Sequence, residues 1–366
     1  MFCYIYLGEK QFLIENNVND FLLQDVQNLI DNTNFSSLYN EKIKLLSIGF
    51  NIEENQLVDS YYDFLASEAR LASIVSIAKK DIPEKHWNIL SRTLTTLAGY
   101  KGLVSWTGTM FEYLMPNIIL KRYDGSLLDE SSKFASYSQI NYSRKYDKPW
   151  GISESAYNLK DLNYNYQYKA FGVPWLGLKR GLEEDLVISP YSTFISLEDT
   201  KKEAIENIKY LKDEGAYGKY GFYEAIDYTP TRLNSSQNRA IVKTYMAHHQ
   251  GLILTSINNF LNSNILRKRF NLNPELEAVD ILLQEKMPKE MIITKEKKDK
   301  ISRLKLSLDG NYFERIFEEK NKLHKKVNVI SNENYQIISN TEGESFSKYK
   351  GNLINEYKVK NETPWG

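Results

Sequence analysis

Hydrophobic residues recur at helical spacing through most of the chain, then give way to a run of charge and finally to strand-like alternation. Residues 19–32 place Phe21, Leu22, Val26, Leu29 and Ile30 on one helical face. Residues 60–79 carry a broader stripe, from Phe64 and Leu65 through Ala69, Leu71 and Ala72 to Val75 and Ile77, which predicts a long helix. Pro83 suits the first turn of another, over 83–97. Further helices are predicted over 107–120, 127–146, 190–197, 200–214 and 238–262. Two stretches rich in glycine and aromatics, 149–190 and 215–224, interrupt them. Segments of that kind inside a compact domain usually carry function. No fixed-period repeat is visible, so a solenoid is not expected.

The end of the chain reads differently. Residues 289–326 hold charge runs such as Lys295-Glu296-Lys297-Lys298-Asp299-Lys300 and read as a linker or solvated helix. Residues 327–360 alternate like strands, with Asn332-Glu333-Asn334 as a hairpin turn. A strand segment this short cannot bury a core of its own, so it is expected to open a further β-domain.

Composition excludes several classes. Lys+Arg and Asp+Glu both total 47, so no net field holds a nucleic acid or an anionic membrane. No apolar run reaches the length of a membrane span. One cysteine, Cys3, rules out a disulfide framework and a cysteine zinc cluster; with a start unlike a signal peptide, it points to the cytoplasm. Tyrosine is the surplus residue, 26 in 366, with 16 Phe and 5 Trp. Such a surplus suits a cleft that stacks on and hydrogen-bonds a polar ligand, and equally a tyrosine-rich core.

Several acids stand among aromatics and glycines: Asp63, Glu68, Glu112, Glu154, Glu224 and Asp227. Glycoside chemistry needs carboxyls in such surroundings, one protonated through desolvation and one ionised. Taken one at a time, each is explained better by a helix cap or an arginine partner. Glu68, in an apolar helix, fits structural pairing and catalysis equally; Glu154, in a loop between Trp150 and Tyr157, leans towards function. Adjacent His248 and His249 do not converge on one metal ion when helical, so a ligand or core hydrogen-bond role fits them. Gly181-Leu182-Glu183-Glu184-Asp185 lacks calcium-loop spacing and reads as a solvated turn. Gly215, Gly218 and Gly221 form no phosphate loop, and no serine-nucleophile elbow occurs. No metal and no cofactor are expected.

Longer motifs say more. The run Ser60-Tyr61-Tyr62-Asp63-Phe64-Leu65-Ala66-Ser67-Glu68-Ala69-Arg70 is followed in order by 106–116, 149–158, Tyr166-Gln167-Tyr168, 171–181, 220–230 and 245–251. Together they resemble the cyclization (transglycosylase) region of cyclic β-1,2-glucan synthases, with its glycoamylase-like domain, over residues 35–288. The tail resembles the start of the phosphorylase-like region that follows in those synthases. The resemblance implies a mainly α fold, an (α/α)6 toroid over 1–288, then a charged linker over 289–326 and a truncated β-sandwich-type start over 327–366. It implies anomer-retaining transglycosylation of β-1,2-glucan, with Glu154 as nucleophile and Glu68 as general acid/base. It makes Asp63, Trp106, Glu112, Trp150, Tyr157, Tyr166, Gln167, Tyr168, Tyr220, Tyr223, Glu224, Asp227, His248, His249 and Gln250 substrate contacts. A toroid of that type needs twelve helices, more than the sequence supplies, so an incomplete ring and weak activity of the chain alone are expected. Neighbouring parts of a larger synthase are the expected protein partners, and full-length relatives are expected to be membrane-tethered. The alternatives are an inactive or weakly active glucan-binding module and an endo-β-1,2-glucanase.

Overall fold

The computed structural model describes residues 20–234, 236–287, 327–332, 334–340 and 344–357. The chain divides into two compact units, residues 1–297 and 298–366.

In the first unit ten α-helices lie among the described residues: α1 (Asp20–Asn32), α2 (Arg70–Ala78), α3 (Lys85–Ile89), α4 (Met110–Leu114), α5 (Leu127–Arg144), α6 (Pro190–Ile195), α7 (Lys201–Asp213), α8 (Ala247–Leu261), α9 (Ile265–Phe270) and α10 (Pro274–Val279). Half of them are only five or six residues long. The predicted helices over 19–32, 127–146, 190–197 and 200–214 match α1, α5, α6 and α7 closely. The other four shrink: 107–120 becomes α4 followed by a 3-10 turn at Met115–Ile118, and the others have local reasons. The 60–79 stripe becomes a helix only at Arg70, because Tyr61–Tyr62 pair with Leu45–Ser47 and a tight turn intervenes. In that turn Ser67 Oγ accepts from Ala69 N, and Ser67 O accepts from Arg70 N. Glu68 therefore stands in the turn ahead of α2, not on a helix face.

The 83–97 helix stops after Ile89. Strands β1 (Leu94–Leu97) and β2 (Tyr100–Leu103) then form a hairpin closed by Ala98 and Gly99, both at positive φ. The threonines of β1 favour the pleat over a helix. Within 149–190 lies a second hairpin, β3 (Ser155–Lys160) with β4 (Tyr166–Lys169). It packs on a three-stranded antiparallel sheet of β5 (Val187–Ile188), β6 (Ala225–Asp227) and β7 (Ala240–Val242), with β6 in the middle. Strand β7 takes residues that helical spacing had claimed for 238–262.

One apolar core joins these elements, from Leu65, Ile74 and Trp87 through Leu103 and Phe134 to Phe171 and Ile226. Helix α6 lies between α7 and α8, and α2 packs on α10. Loops 105–109 and 171–178 press backbone to backbone: Val173 N donates to Gly108 O and Leu178 N to Ser105 O. Glycine is required there. A Cβ on Gly172 would stand 1.7 Å from Thr107 O, and one on Gly177 2.7 Å from Thr107 C.

The second unit shows a four-stranded antiparallel meander, β8 (Val327–Ser331), β9 (Tyr335–Asn340), β10 (Ser345–Tyr349) and β11 (Asn352–Tyr357). The turn expected at 332–334 joins β8 to β9, and Asn332 Oδ1 accepts from Asn334 N and Tyr335 N. Ile330, Ile337 and Tyr349 remain exposed on this sheet. The charged stretch 289–326 lies outside the described residues.

Candidate active site

Glu154 sits between a rigid loop and strand β3. Gln139 grips Ile152 through both of its amide atoms, and Asn207 does the same for Trp150. Ser153 Oγ accepts from Phe111 N and lies 2.7 Å from Tyr191 OH. Tyr191 OH also bonds to Glu154 O at 3.1 Å, and Ala156 N donates to Glu224 Oε1 at 3.2 Å. The backbone on both sides of Glu154 is thus held, while among the described residues no donor meets its carboxyl group. Burial pushes that carboxyl up to about 7, and Glu68, Glu112 and Glu224 push in the same direction.

Glu68 has a donor in Ser67 Oγ, 3.1 Å from its Oε2, yet burial and Glu112 hold it above the usual glutamate range. The nearest cation does not pair with it. Arg70, fully buried beneath, spends its guanidinium on Ser67 O, Glu112 O, Tyr113 O and Asn117 Oδ1. Burial lowers its pKa to about 9. Tyr62 feels the charge of both Glu68 and Glu154, which raises its phenol beyond the effect of burial alone. Of two such carboxyls, one that keeps its proton near neutrality can donate it, while its ionised partner can attack an electrophilic carbon.

The other acids have structural employment. Glu112 closes a capping box on α4 with Thr109 and also accepts from Ser105 Oγ and Thr107 N. Asp227 is clasped by Arg232, by Asn158 N and by Thr229 N. Asp185, read from sequence as part of a solvated turn, is instead buried and paired with Lys169 and Arg232. Asp63 is exposed, and its carbonyl accepts from Ser91 N. Among the described residues no group of acids and histidines has the arrangement of a metal site.

The Glycoamylase family model matches residues 60–274. The chain belongs to this family. It is 37% identical over 324 residues to the cyclic β-(1,2)-glucan synthase NdvB of Rhizobium meliloti (strain 1021), a match that covers 88% of this chain and 11% of that protein. Two solved structures share the fold at low identity. An endo-β-1,2-glucanase from Chitinophaga pinensis, in complex with sophorotriose and glucose, aligns with a TM-score of 0.57 at 19% identity, over 76% of this chain and 68% of that one. An endo-β-1,2-glucanase from Talaromyces funiculosus with sophorose gives 0.56 at 13% identity, over 78% and 62%.

Within this Glycoamylase domain the candidate aromatics divide by exposure. Trp106, Tyr168 and Tyr220 are exposed; the phenol of Tyr168 is raised by burial and by the charges of Glu154 and Glu224. Tyr223 is half-buried beside Tyr245, with ring centroids 5.2 Å apart. Tyr157 and Tyr166 are half-buried; Arg232 covers the first and Lys160 the second. Trp150 is core, 6% exposed, and cannot offer a sugar its face. Gln167 lies half-buried on β4, and Gln250 Nε2 donates to Phe222 O. His248 is exposed, whereas His249 is buried against Glu224. Sequence reading passed over Tyr62, Tyr191 and Arg70 as site residues. Tyr62 lay inside a motif already singled out; Tyr191 sits in an apolar helical run, where nothing marks its hydroxyl.

Proposed function

We propose that this chain acts on β-1,2-glucan by anomer-retaining transfer, with Glu154 as nucleophile and Glu68 as general acid/base, on a helical frame of the (α/α)6 toroid type. One observation carries the reading: a desolvated carboxyl at Glu154, without a hydrogen-bond donor or cation among the described residues, feels the charge of a second acid at Glu68. The names of the relatives supply the substrate class, since one is a cyclic β-(1,2)-glucan synthase and others are endo-β-1,2-glucanases. In the first step Glu154 forms a bond to C1 of the sugar as the glycosidic C1–O bond breaks, and Glu68 gives its proton to the departing oxygen. In the second, an acceptor hydroxyl attacks C1, loses its proton to Glu68, and Glu154 leaves. A sugar hydroxyl gives transfer or a ring, and water gives hydrolysis. Trp106, Tyr168 and Tyr220 supply exposed rings for sugar faces. Residues 289–326 are proposed as the tether between the helical domain and the sheet.

Incubation of the protein with linear β-1,2-glucan, followed by mass analysis, tests the reading. Cyclic products lie one water below the linear series, and shortened linear products report hydrolysis. Folded protein that yields neither would refute it. Turnover is expected to fall as pH rises through about 7, where the last proton leaves the Glu68–Glu154 pair, whichever residue carries it. The acid limb should lie above the ordinary glutamate range, because both carboxyls are raised. A flat rate between pH 6 and 9 would contradict this assignment of the proton.

A further inference from the structure

Behind Glu154 lies a buried, hydrogen-bonded Glu–His pair whose environment structural packing alone does not explain. His249 Nδ1 donates to Glu224 Oε1 at 2.8 Å, with the two side chains 1% and 0% exposed. Their other polar atoms, His249 Nε2 and Glu224 Oε2, are buried without a hydrogen-bond partner. Leaving such atoms unpaired costs free energy, and a residue kept only for packing would avoid it. The pair reaches Glu154 by two routes. Glu224 Oε1 also accepts from Ala156 N, two residues beyond Glu154. The His249 ring stacks on Tyr191 with centroids 3.8 Å apart and planes at 15°, and Tyr191 OH bonds to Glu154 O. Three separate elements, the residue ahead of β6 and the helices α8 and α6, thereby converge on one glutamate.

We infer that Glu224, His249 and Tyr191 form a clamp of positioning residues that fixes the Glu154 backbone, with the carboxyl of Glu224 close enough for its charge to act on Glu154. The inference rests on the proposed role of Glu154. The groups that bear on Glu154 are the acids Glu68, Glu112 and Glu224 and the phenols of Tyr62, Tyr168 and Tyr191, with His249 and His248 beside Glu224. Of the acids, Glu68 belongs to the reacting pair and Glu112 to the α4 cap. Glu224 is the one whose substitution by glutamine changes charge while leaving an oxygen to accept from His249 and Ala156.

Two variants separate the parts of the clamp. Glu224→Gln should move the titration of the Glu154 carboxyl downward by roughly half a pH unit. Carbon-13 NMR of carboxyl-labelled glutamate reads this directly, with Glu154→Gln assigning the signal, so the result stands whether or not the protein turns over glucan. Tyr191→Phe keeps the stack and removes the hydroxyl; it should lower kcat by about 10- to 100-fold with KM little changed. If the titration of Glu154 is unmoved in Glu224→Gln, or if Tyr191→Phe lowers only the melting temperature with kcat intact, the clamp is refuted. Absence of any glucan turnover in the wild type would instead refute the proposed reaction, while the NMR titration still decides the electrostatic part.

Discussion

Glu154→Gln is expected to lose turnover of β-1,2-glucan by on the order of 10³-fold or more while still binding it, and to be more stable than the wild type at pH 8. The catalytic loss follows from the proposed role, because a neutral amide is a poor nucleophile and no donor or cation stands by to activate it. The gain in stability follows from the linkage. Folding raises the Glu154 carboxyl from an ordinary value of 4.5 to about 7. Between these values the folded state binds more protons than the unfolded one, so stability falls as pH rises through that window. Above it the whole cost of holding the anion is present, on the order of 3 kcal/mol, and glutamine removes it. Below about pH 4 the carboxyl is neutral in both states and the advantage should vanish. Thermal melting of both proteins across pH, alongside glucan binding by calorimetry, measures this. A variant less stable than wild type at pH 8 would show that the carboxylate is held by favourable partners, contrary to the geometry. Glu68→Gln should show a similar but smaller pattern, since Ser67 and Arg70 already favour its charged form. With azide as external nucleophile, replacement of Glu154 by alanine should yield the glycosyl azide of inverted anomer, and replacement of Glu68 the retained one.

The second large effect concerns the backbone behind the site. Gly172→Ala is expected to destabilise the domain by about 4 kcal/mol or more, enough to unfold a typical domain near its working temperature. The new methyl would fall 1.7 Å from Thr107 O, a backbone atom that no rotamer change can move. The two loops pressed together there carry Trp106 on one side and run on towards Leu182 on the other. Their separation would also disturb Glu112 in α4, whose carboxyl accepts from Ser105, Thr107 and Thr109 of the 105–109 loop. Gly251→Ala is the matched control. It lies inside α8 with open space where its Cβ would go, so alanine should stabilise by up to about 1 kcal/mol through helix propensity. Urea melts of the two variants beside wild type give both numbers. Equal stabilities would mean that the loops at 105–109 and 171–178 are not in contact.

Leu254 and Leu261 on α8, and Leu22 and Leu29 on α1, are exposed apolar residues. The chain spans 11% of the length of the synthase it matches, so they are described for this span alone.

Legibility followed locality. Helices α5 and α7 could be read from spacing, because each carries enough turns for its own apolar stripe to dominate its conformation. The 60–79 stripe misled, since Phe64, Leu65 and Ala66 are buried for a different reason: Phe64 bridges to Ser91, and Leu65 and Ala66 follow it in a bend before α2 begins. Period alone does not distinguish a buried strand from a buried helix. Glu68 and Glu154 were singled out in the sequence as candidates only. What separates their surroundings from those of Glu112 and Asp227 was not legible there. All four occur among aromatics in the sequence. Glu112 closes a local Thr109-x-x-Glu112 capping box, whereas only the tertiary arrangement brings Asn158 N to Asp227 and leaves the Glu154 carboxyl without a donor among the described residues.

The amino-acid sequence by itself determined the order of helices, the switch to strands after the charged run, and the family, because these depend on short-range periodicity and on motifs that persist along the chain. The three-dimensional fold alone decided that the carboxyls of Glu68 and Glu154 are both raised above the ordinary glutamate range. That property depends on burial and on charges contributed by residues up to 86 positions away, such as Glu68, and no local pattern records such distances.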